Sequence, residues 1–402
     1  MYFEQLSVPE YASCDVLVVG GGIAGIAAAL AAAREKKNVI LLERNYMLGG
    51  LGTAGLITGY LPICDGLGHQ VSFGIAEELL RLADRFNATR PRAVNWLDSD
   101  DPSKRTANDR RFEAWYNPNY FAIAAEQLLH NTGVNILYGV YAVSVVKENG
   151  RIAAVITESK SGRTAITVKS VVDASGDADI AHFAGVPCET FKQGNILAAW
   201  YYASDNEHPY QLMPLGYCDI PDEQKTKDNQ VKTLIPRRFL GLDAQEIADF
   251  VRLSHESTMN DVMKHRQDGH EDYVPATIAS MPQLRMTRKI VGEYELSDKE
   301  DHKFFADSVG MVSDWRKRGP AYEVPFRTLF SAACPNLITA GRCTSVTEPM
   351  WDIMRVIPCC SVTGQAAGTA AAMTDDFAAL DVAALQEKLV GAGVKLHISD
   401  VM

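Results

Sequence analysis

The chain has 402 residues, 47% of them apolar and 22% charged, the balance of a water-soluble globular enzyme. Its net charge of −11 weighs against non-specific binding to nucleic-acid phosphates or anionic lipid. Eight cysteines lie scattered without a regular framework and no His/Cys spacing fits zinc, so reduced thiols in a cytoplasmic protein without a metal site are expected. Residues 1–14 lack the basic and apolar regions of a secretory signal.

The first informative stretch is "DVLVVGGGIAGIAAALAAA", residues 15–33. Its uncharged run is long enough, on hydropathy alone, to cross a bilayer. Gly20, Gly21, Gly22 and Gly25 argue against that, because glycines in the middle would break a spanning helix. The β-branched residues before them predict a strand buried on both faces, and the alanines after them predict a helix. Gly20, Gly22 and Gly25 form G-x-G-x-x-G in the strand–turn–helix context of a dinucleotide site. The first allows the tight turn, the second lets the backbone approach a pyrophosphate, and the third lets helix and strand pack closely. The helix N-terminus offers unpaired N–H groups to phosphates. A second strand, Asn38 to Leu42, leads into Glu43, a carboxylate suited to both hydroxyls of an adenosine ribose and repelling a 2′-phosphate, despite Arg44 beside it.

Further along, Asn117, Pro118 and Gly133 bracket a helix as cap, first-turn proline and stop. "VNILYGV" reads as a third parallel strand. Strands are predicted at 142–147, 152–158 and 164–169, with turns at Asn149-Gly150 and Ser161-Gly162. A further buried strand covers Val171 to Ala174, ahead of Ser175-Gly176-Asp177. Residues from about 188 to 320 do not read as nucleotide fold. Within them, "GLDAQEIADFVRLSHESTMNDVMKHRQ" is an amphipathic helix, whole or broken, with Ile247, Phe250 and Val251 on one side and His255 as a surface histidine or a base. Asn336 to Ala340 is the last strand, and a final helix starts near Pro358 with small residues from Gly364 to Ala372.

Several separated segments carry a family resemblance: "GGGIAG…E…GGLGTAG", "VVDASGDADIAHFAGVP" (171–187), "MTRKIVGEYEL" (286–296), "EVPFRTL" (323–329), "NLITAGRC" (336–343) and "RVIPCCSVTGQAAGTAAA" (355–372). Together they resemble the glutathione-reductase-like flavoproteins. Within these the chain is similar to the bacterial FAD-dependent oxidoreductases related to succinate dehydrogenase and fumarate reductase flavoprotein subunits. The resemblance implies an α/β fold, in which a Rossmann-like FAD domain with parallel sheet and β-meander (1–187 and 321–402) carries an inserted α+β substrate domain (188–320). It implies non-covalent FAD held by Gly20, Gly22, Ala24, Gly25, Glu43, Arg44, Gly50, Thr53, Val140, Ser175, Gly176, Asp177, Gly341, Arg342, Val356, Ile357, Gly364 and Gln365. Cys64 and His69 are the candidates for a covalent link. In the resembled family the last helix aims its N-terminal N–H groups at the flavin pyrimidine, which stabilises the anionic edge of the reduced ring.

The implied activity is two-electron transfer between flavin N5 and a small polar organic molecule, with an external electron donor or acceptor and neither nucleic acid nor membrane as partner. Monomer and homo-oligomer both stay open. The substrate motifs of fumarate reductases do not match here, so no dicarboxylate is implied. "EPMWDIMR" (348–355), read as a loop, supplies Asp352 and Arg355, either orienting substrate and exchanging its proton or forming a structural pair at i, i+3, with Trp351 as a flat apolar wall. Arg288, with Arg285, is a carboxylate anchor or an interdomain ion pair, and Tyr322 is a donor candidate. Two alternatives remain: a thiol relay through Cys359-Cys360, where the helix dipole favours thiolate, and an RNA-modifying flavoprotein.

Overall fold

The protein is described by a computed structural model covering residues 6–85, 114–207, 209–216 and 233–402. It begins with the predicted unit of β1 (Glu10–Val19), α1 (Ile23–Arg34) and β2 (Val39–Glu43), with β1 and β2 parallel. Val16, Leu17 and Val18 are fully buried, as a strand covered on both faces requires. Every residue of α1 except Arg34 is buried, which accounts for its lack of a polar face.

β3 (Gly59–Tyr60) pairs with β4 (Ala114–Trp115), and α2 (Ile75–Asp84) lies between them in sequence. α3 (Pro118–Thr132) starts at Asn117, whose side chain accepts from the Tyr120 N–H, and stops at Gly133 with φ 91°. β5 (Asn135–Tyr138) returns parallel to β2. β6 (Tyr141–Glu148), β7 (Arg151–Ser159) and β8 (Gly162–Asp173) form an antiparallel meander. The two strands read at 164–169 and 171–174 are one strand, β8, because it has partners along its whole length. β7 pairs with it up to Thr167, β1 lies parallel on the other side, and a later strand takes β7's place at Val171–Asp173.

After α4 (Asp179–Phe183) and β9 (Cys188–Thr190), the chain builds a small sheet of β10 (Tyr201–Ser204), β11 (Gln211–Met213) and β12 (Val274–Ile278). α5 (Ala244–Gln267) is one unbroken helix of 24 residues, capped by the Asp243 carboxylate on the Glu246 N–H. Its Phe250 packs with Leu197, Phe239 and Leu284. β13 (Arg288–Ile290) pairs with β9, so the two ends of this excursion meet. β14 (Ser308–Ser313) pairs with β15 (Ala321–Pro325), and β16 (Leu337–Thr339) joins β8 in parallel. α6 (Glu348–Met354), α7 (Ile357–Met373) and α8 (Val382–Gly391) complete the fold. The main sheet therefore runs β5–β2–β1–β8–β7–β6, with β16 beside β8. Among the described residues, no helix is long and apolar enough to cross a membrane.

α1 and α7 pack backbone to backbone. A Cβ on Gly364 would lie 2.3 Å from the Ala24 carbonyl oxygen, and one on Gly368 would lie 2.1 Å from that of Ala28. The pairs Ala24–Gly364 and Ala28–Gly368 advance together, so the helices are parallel and their N-termini open on the same side. Ile357 stands seven residues ahead of Gly364 while Ile23 stands one ahead of Ala24. α7 thus begins six residues further forward, roughly 9 Å at the rise of an α-helix.

Gly368→Ala is expected to cost about 1–3 kcal/mol or more, the scale of overpacking against backbone, read as a lower urea midpoint. Gly391→Ala, where an added Cβ meets nothing, serves as the control and leaves the midpoint in place. Equal midpoints for the two variants would remove the close helix contact as a constraint.

Candidate functional site

The carboxyl ends of β2, β1, β8 and β16 lie side by side, and the turns that follow them enclose one cleft. In open α/β sheets this edge is where ligands bind. Gly20 has φ +102°, and a Cβ there would sit 2.5 Å from the Ala174 carbonyl oxygen; one on Gly25 would sit 1.8 Å from that of Gly20. Gly25 thus brings α1 against the turn, while a Cβ on Gly22 would meet nothing, leaving backbone facing open space. The second glycine cluster docks on the first: the Gly49 N–H donates to the Gly21 carbonyl at 2.8 Å. Glu43, 4% exposed, accepts from the N–H groups of Gly21 at 2.8 Å and Asn45 at 2.7 Å. Each oxygen keeps a further lone pair, and Glu43 lines the cleft.

The cleft spans about 1020 Å³ of empty space, the open solvent at its mouth included. Of the predicted cofactor residues, Gly20, Gly22, Ala24, Glu43, Arg44, Gly50, Val140, Ser175, Gly176, Gly341, Arg342 and Ile357 line it. Six stand behind its wall. Gly25 and Gly364 serve the close packing just described. The Thr53 hydroxyl donates to the Leu48 carbonyl at 2.5 Å, and Gln365 accepts from the Ile75 N–H at 2.8 Å. Val356 is the N-cap of α7, and Asp177 accepts from Arg342 and Thr287 at 2.9 and 2.6 Å. Asp179 and Met281 also line the cleft and were missed. Asp179 lies in the recognised "GDAD" segment and its orientation alone was hidden; Met281 comes from the insertion, where no periodic signal pointed to the cleft.

One group of charges gathers around Arg342 and Asp177. The Arg342 guanidinium lies over Gly176, where a Cβ would come within 2.4 Å of it, and its buried Nε has no hydrogen-bond partner. Burial opposes ionisation of Asp177, but Arg342, Thr287 and Arg44 outweigh it and hold the carboxyl below the usual range. Burial, then the charges of Asp177 and Asp173, push Asp179 up to about 6. Arg288 donates to Asp179 and to the Asp177 carbonyl, both at 2.8 Å, and does not line the cleft. Tyr322 is 1% exposed and donates to the Asp298 carbonyl at 3.0 Å.

The segment 348–354, read as a loop, is the short helix α6. Pro349 in its first turn and three buried apolar side chains, Met350, Ile353 and Met354, favour a helical turn packed inward. Trp351 is fully buried against Phe191 rather than forming a cleft wall. Arg355 follows α6 and lines the cleft. Asp352 is fully buried and holds Arg355 through one oxygen, at 3.0 and 2.5 Å. The expectation that the helix dipole favours thiolate at Cys359 and Cys360 is reversed. Burial pushes the Cys359 thiol well up and that of Cys360 to about 11, and Cys360 donates to the Arg355 carbonyl at 3.3 Å. Cys64 is fully buried, His69 pairs with Asp65 at 2.8 Å, and neither lines the cleft.

These residues fit a dinucleotide carrying an anionic pyrophosphate and a ring. They comprise a buried carboxylate at the end of β2, open backbone at Gly22, a guanidinium with a buried unpaired N–H, and two helix N-termini facing one space. A family profile described as FAD dependent oxidoreductase matches residues 15–199 and 205–389. A geranylgeranyl bacteriochlorophyll reductase-like protein from Thermoplasma acidophilum superposes with a TM-score of 0.52 at 15% identity, over 95% of this chain and 84% of that one, a likeness of fold. A flavocytochrome c3 fumarate reductase gives a TM-score of 0.42 at 13% identity, over 90% of this chain and 79% of that one, too loose to support a substrate. A probable electron transfer flavoprotein–quinone oxidoreductase of Escherichia coli (strain K12) is 27% identical over 156 residues, 36% of this chain. The chain spans about a third of that relative's length, 32% of it being matched.

Glu43→Ala is expected to weaken FAD binding by about 1–3 kcal/mol, the cost of losing a charged acceptor. Titration of the flavin-free protein checks it, and an unchanged dissociation constant would refute the ribose assignment.

Proposed function

The chain belongs to the FAD-dependent oxidoreductase family, and from that premise we propose that it passes a hydride between flavin N5 and a small polar organic substrate seated between the ring and the 188–320 insertion. The chemistry FAD supplies when bound is the two-electron transfer; the chain supplies orientation, exclusion of water and charge. The observation that carries the reading is the run of the cleft across four parallel strand ends, from Glu43 and Val140 on the β2 side to Arg342, Arg355 and Ile357 beside the start of α7. Adenosine at the first end and the ring at the second satisfy both helix N-termini. Non-covalent attachment is supported by the absence of Cys64 and His69 from the residues that line the cleft.

Arg355 orients an oxygen-bearing substrate with a guanidinium that remains charged. Asp352 has no access to the cleft, so it acts through Arg355, as a positioning residue that fixes the guanidinium in one rotamer. This takes the place of direct proton exchange with substrate. The partners of Arg288 support a clamp on the cofactor wall, and the bond of Tyr322 supports a role in packing. Met281 brings the insertion to the cleft rim, which supports that segment as the substrate-facing part. A thiol relay draws no support from two thiols held protonated by burial, nor RNA binding from a net charge of −11.

Asp352→Asn should keep the flavin and lower turnover by about a hundredfold or more, the scale of a misplaced orienting group. The check is a screen for compounds that bleach the flavin anaerobically, followed by the bleaching rate of the variant with the compound found. A normal rate would remove Arg355 and Asp352 from the reaction.

A further inference from the structure

Behind α6 lies a second pair of opposite charges. Asp352 binds Arg355 through Oδ1 alone; its Oδ2 makes no hydrogen bond and faces Nη1 of Arg316 at 3.7 Å. Arg316 is gripped by Asp314, with Nε on Oδ1 at 3.0 Å and Nη2 on Oδ2 at 2.9 Å. Between them, the Trp315 indole N–H donates to the Asp352 carbonyl at 2.9 Å, and the Arg355 guanidinium lies 5.9 Å from the Trp315 ring. Asp314 and Asp352 are both fully buried. The three residues 314–316 leave the end of β14, and β14 is itself set against α7 at Gly310, where a Cβ would lie 2.8 Å from Val362. One strand exit thus braces the helix that presents Arg355 and is anchored to the helix that begins beside it.

The four side chains alternate in sign along their contacts: Asp314, Arg316, Asp352, Arg355. Their net charge is zero, and Arg316 draws on the same carboxylate that would otherwise neutralise Arg355 alone. Removing the Arg316 charge leaves the group at −1 and makes the cleft more negative; removing the Asp314 charge leaves it at +1. Buried charges are poorly screened by salt, so this difference reaches the cleft. At an effective dielectric constant of about 20, a unit charge about 10 Å from another is worth roughly a factor of ten in an equilibrium constant.

We propose that Asp314 and Arg316 are positioning residues which, through Asp352, set the field that Arg355 projects into the cleft and so the reduction potential of the bound flavin. This rests on the reading above that Arg355 lies beside the ring. Neither residue reaches the cleft lining, and neither is asked to touch substrate.

The test is the midpoint potential of the flavin-loaded protein, by anaerobic dye equilibration, for the wild type and for Arg316→Gln, Arg316→Lys, Asp314→Asn and Arg355→Gln. Arg316→Gln should lower the ratio of reduced to oxidised flavin affinity about tenfold, about 30 mV for a two-electron couple. Arg316→Lys should restore it, and Asp314→Asn should move it the opposite way. A merely structural pair would loosen the helix in either variant and shift the potential the same way or not at all, and that outcome overturns the proposal. Should Arg316→Gln not fold, Arg316→Lys near the wild-type value with Asp314→Asn above it supports the proposal, and any other order overturns it. An unchanged potential in Arg355→Gln would instead overturn the placement of Arg355 beside the ring, and the proposal with it. A shift there without one in the Arg316 and Asp314 variants overturns the proposal alone.

Discussion

The contact on which the site depends is the one between α1 and α7. Gly364 and Gly368 let the α7 backbone rest on the carbonyl groups of Ala24 and Ala28, closer than any side chain would permit. Because the contact is parallel, two sets of uncapped N–H groups and two positive dipole ends face the same space. The stagger of roughly 9 Å, set by where each helix starts, carries the α7 N-terminus beyond that of α1 along the helix axes. On the proposed function one helix would serve phosphates and the other the ring, and a sheet edge with a single helix N-terminus would serve only the first. The alanine-rich composition of both helices follows from this packing, since larger side chains would force them apart.

Around that pair, the cleft is assembled from chain segments far apart in sequence: the β1 turn, the end of β2, the turn after β8, the end of β16 and the start of α7. Each is held by backbone hydrogen bonds, as where the Gly20 N–H donates to Leu42 and that of Ala340 to Asp173. The charged residues form two separate groups. Arg342 and Arg44 share Asp177 on one wall, while Arg355 is backed by Asp352 and Arg316 at the other helix. Arg342 and Arg355 each have an acid behind them, which fixes their position and offsets the cost of burying them, while Arg44 is exposed.

Much of this was legible in the sequence because the determinants are local. The glycine spacing after β1, the acid ending β2, and the Asn-Pro…Gly frame of α3 each encode backbone geometry within a few residues. The fate of α6 was not, because "EPMWDIMR" is too short for periodicity to separate a helical turn from a loop, and its burial comes from Phe191 and Trp315 elsewhere in the chain. Asp352 was recognised as charged beside Arg355 at i, i+3, but its complete burial depends on β14. Similarly, Arg288 is a good anchor by type; only the tertiary structure brings Asp177 and Asp179 to it. The thiol reading draws no support here, because desolvation raises the Cys359 and Cys360 thiols, against the direction that a helix dipole favours.

On the proposed function, one extended FAD spans this cleft with its ring beside the start of α7. A crystal structure of the flavin-loaded protein tests it most directly. The expected result has ribose hydroxyls within hydrogen-bond distance of Glu43, the pyrophosphate over Gly22 and the α1 N-terminus, and the pyrimidine edge of the ring at Ile357 with Arg355 next to it. A ring bound at the Glu43 end, or on the far side of the insertion away from α7, would contradict it.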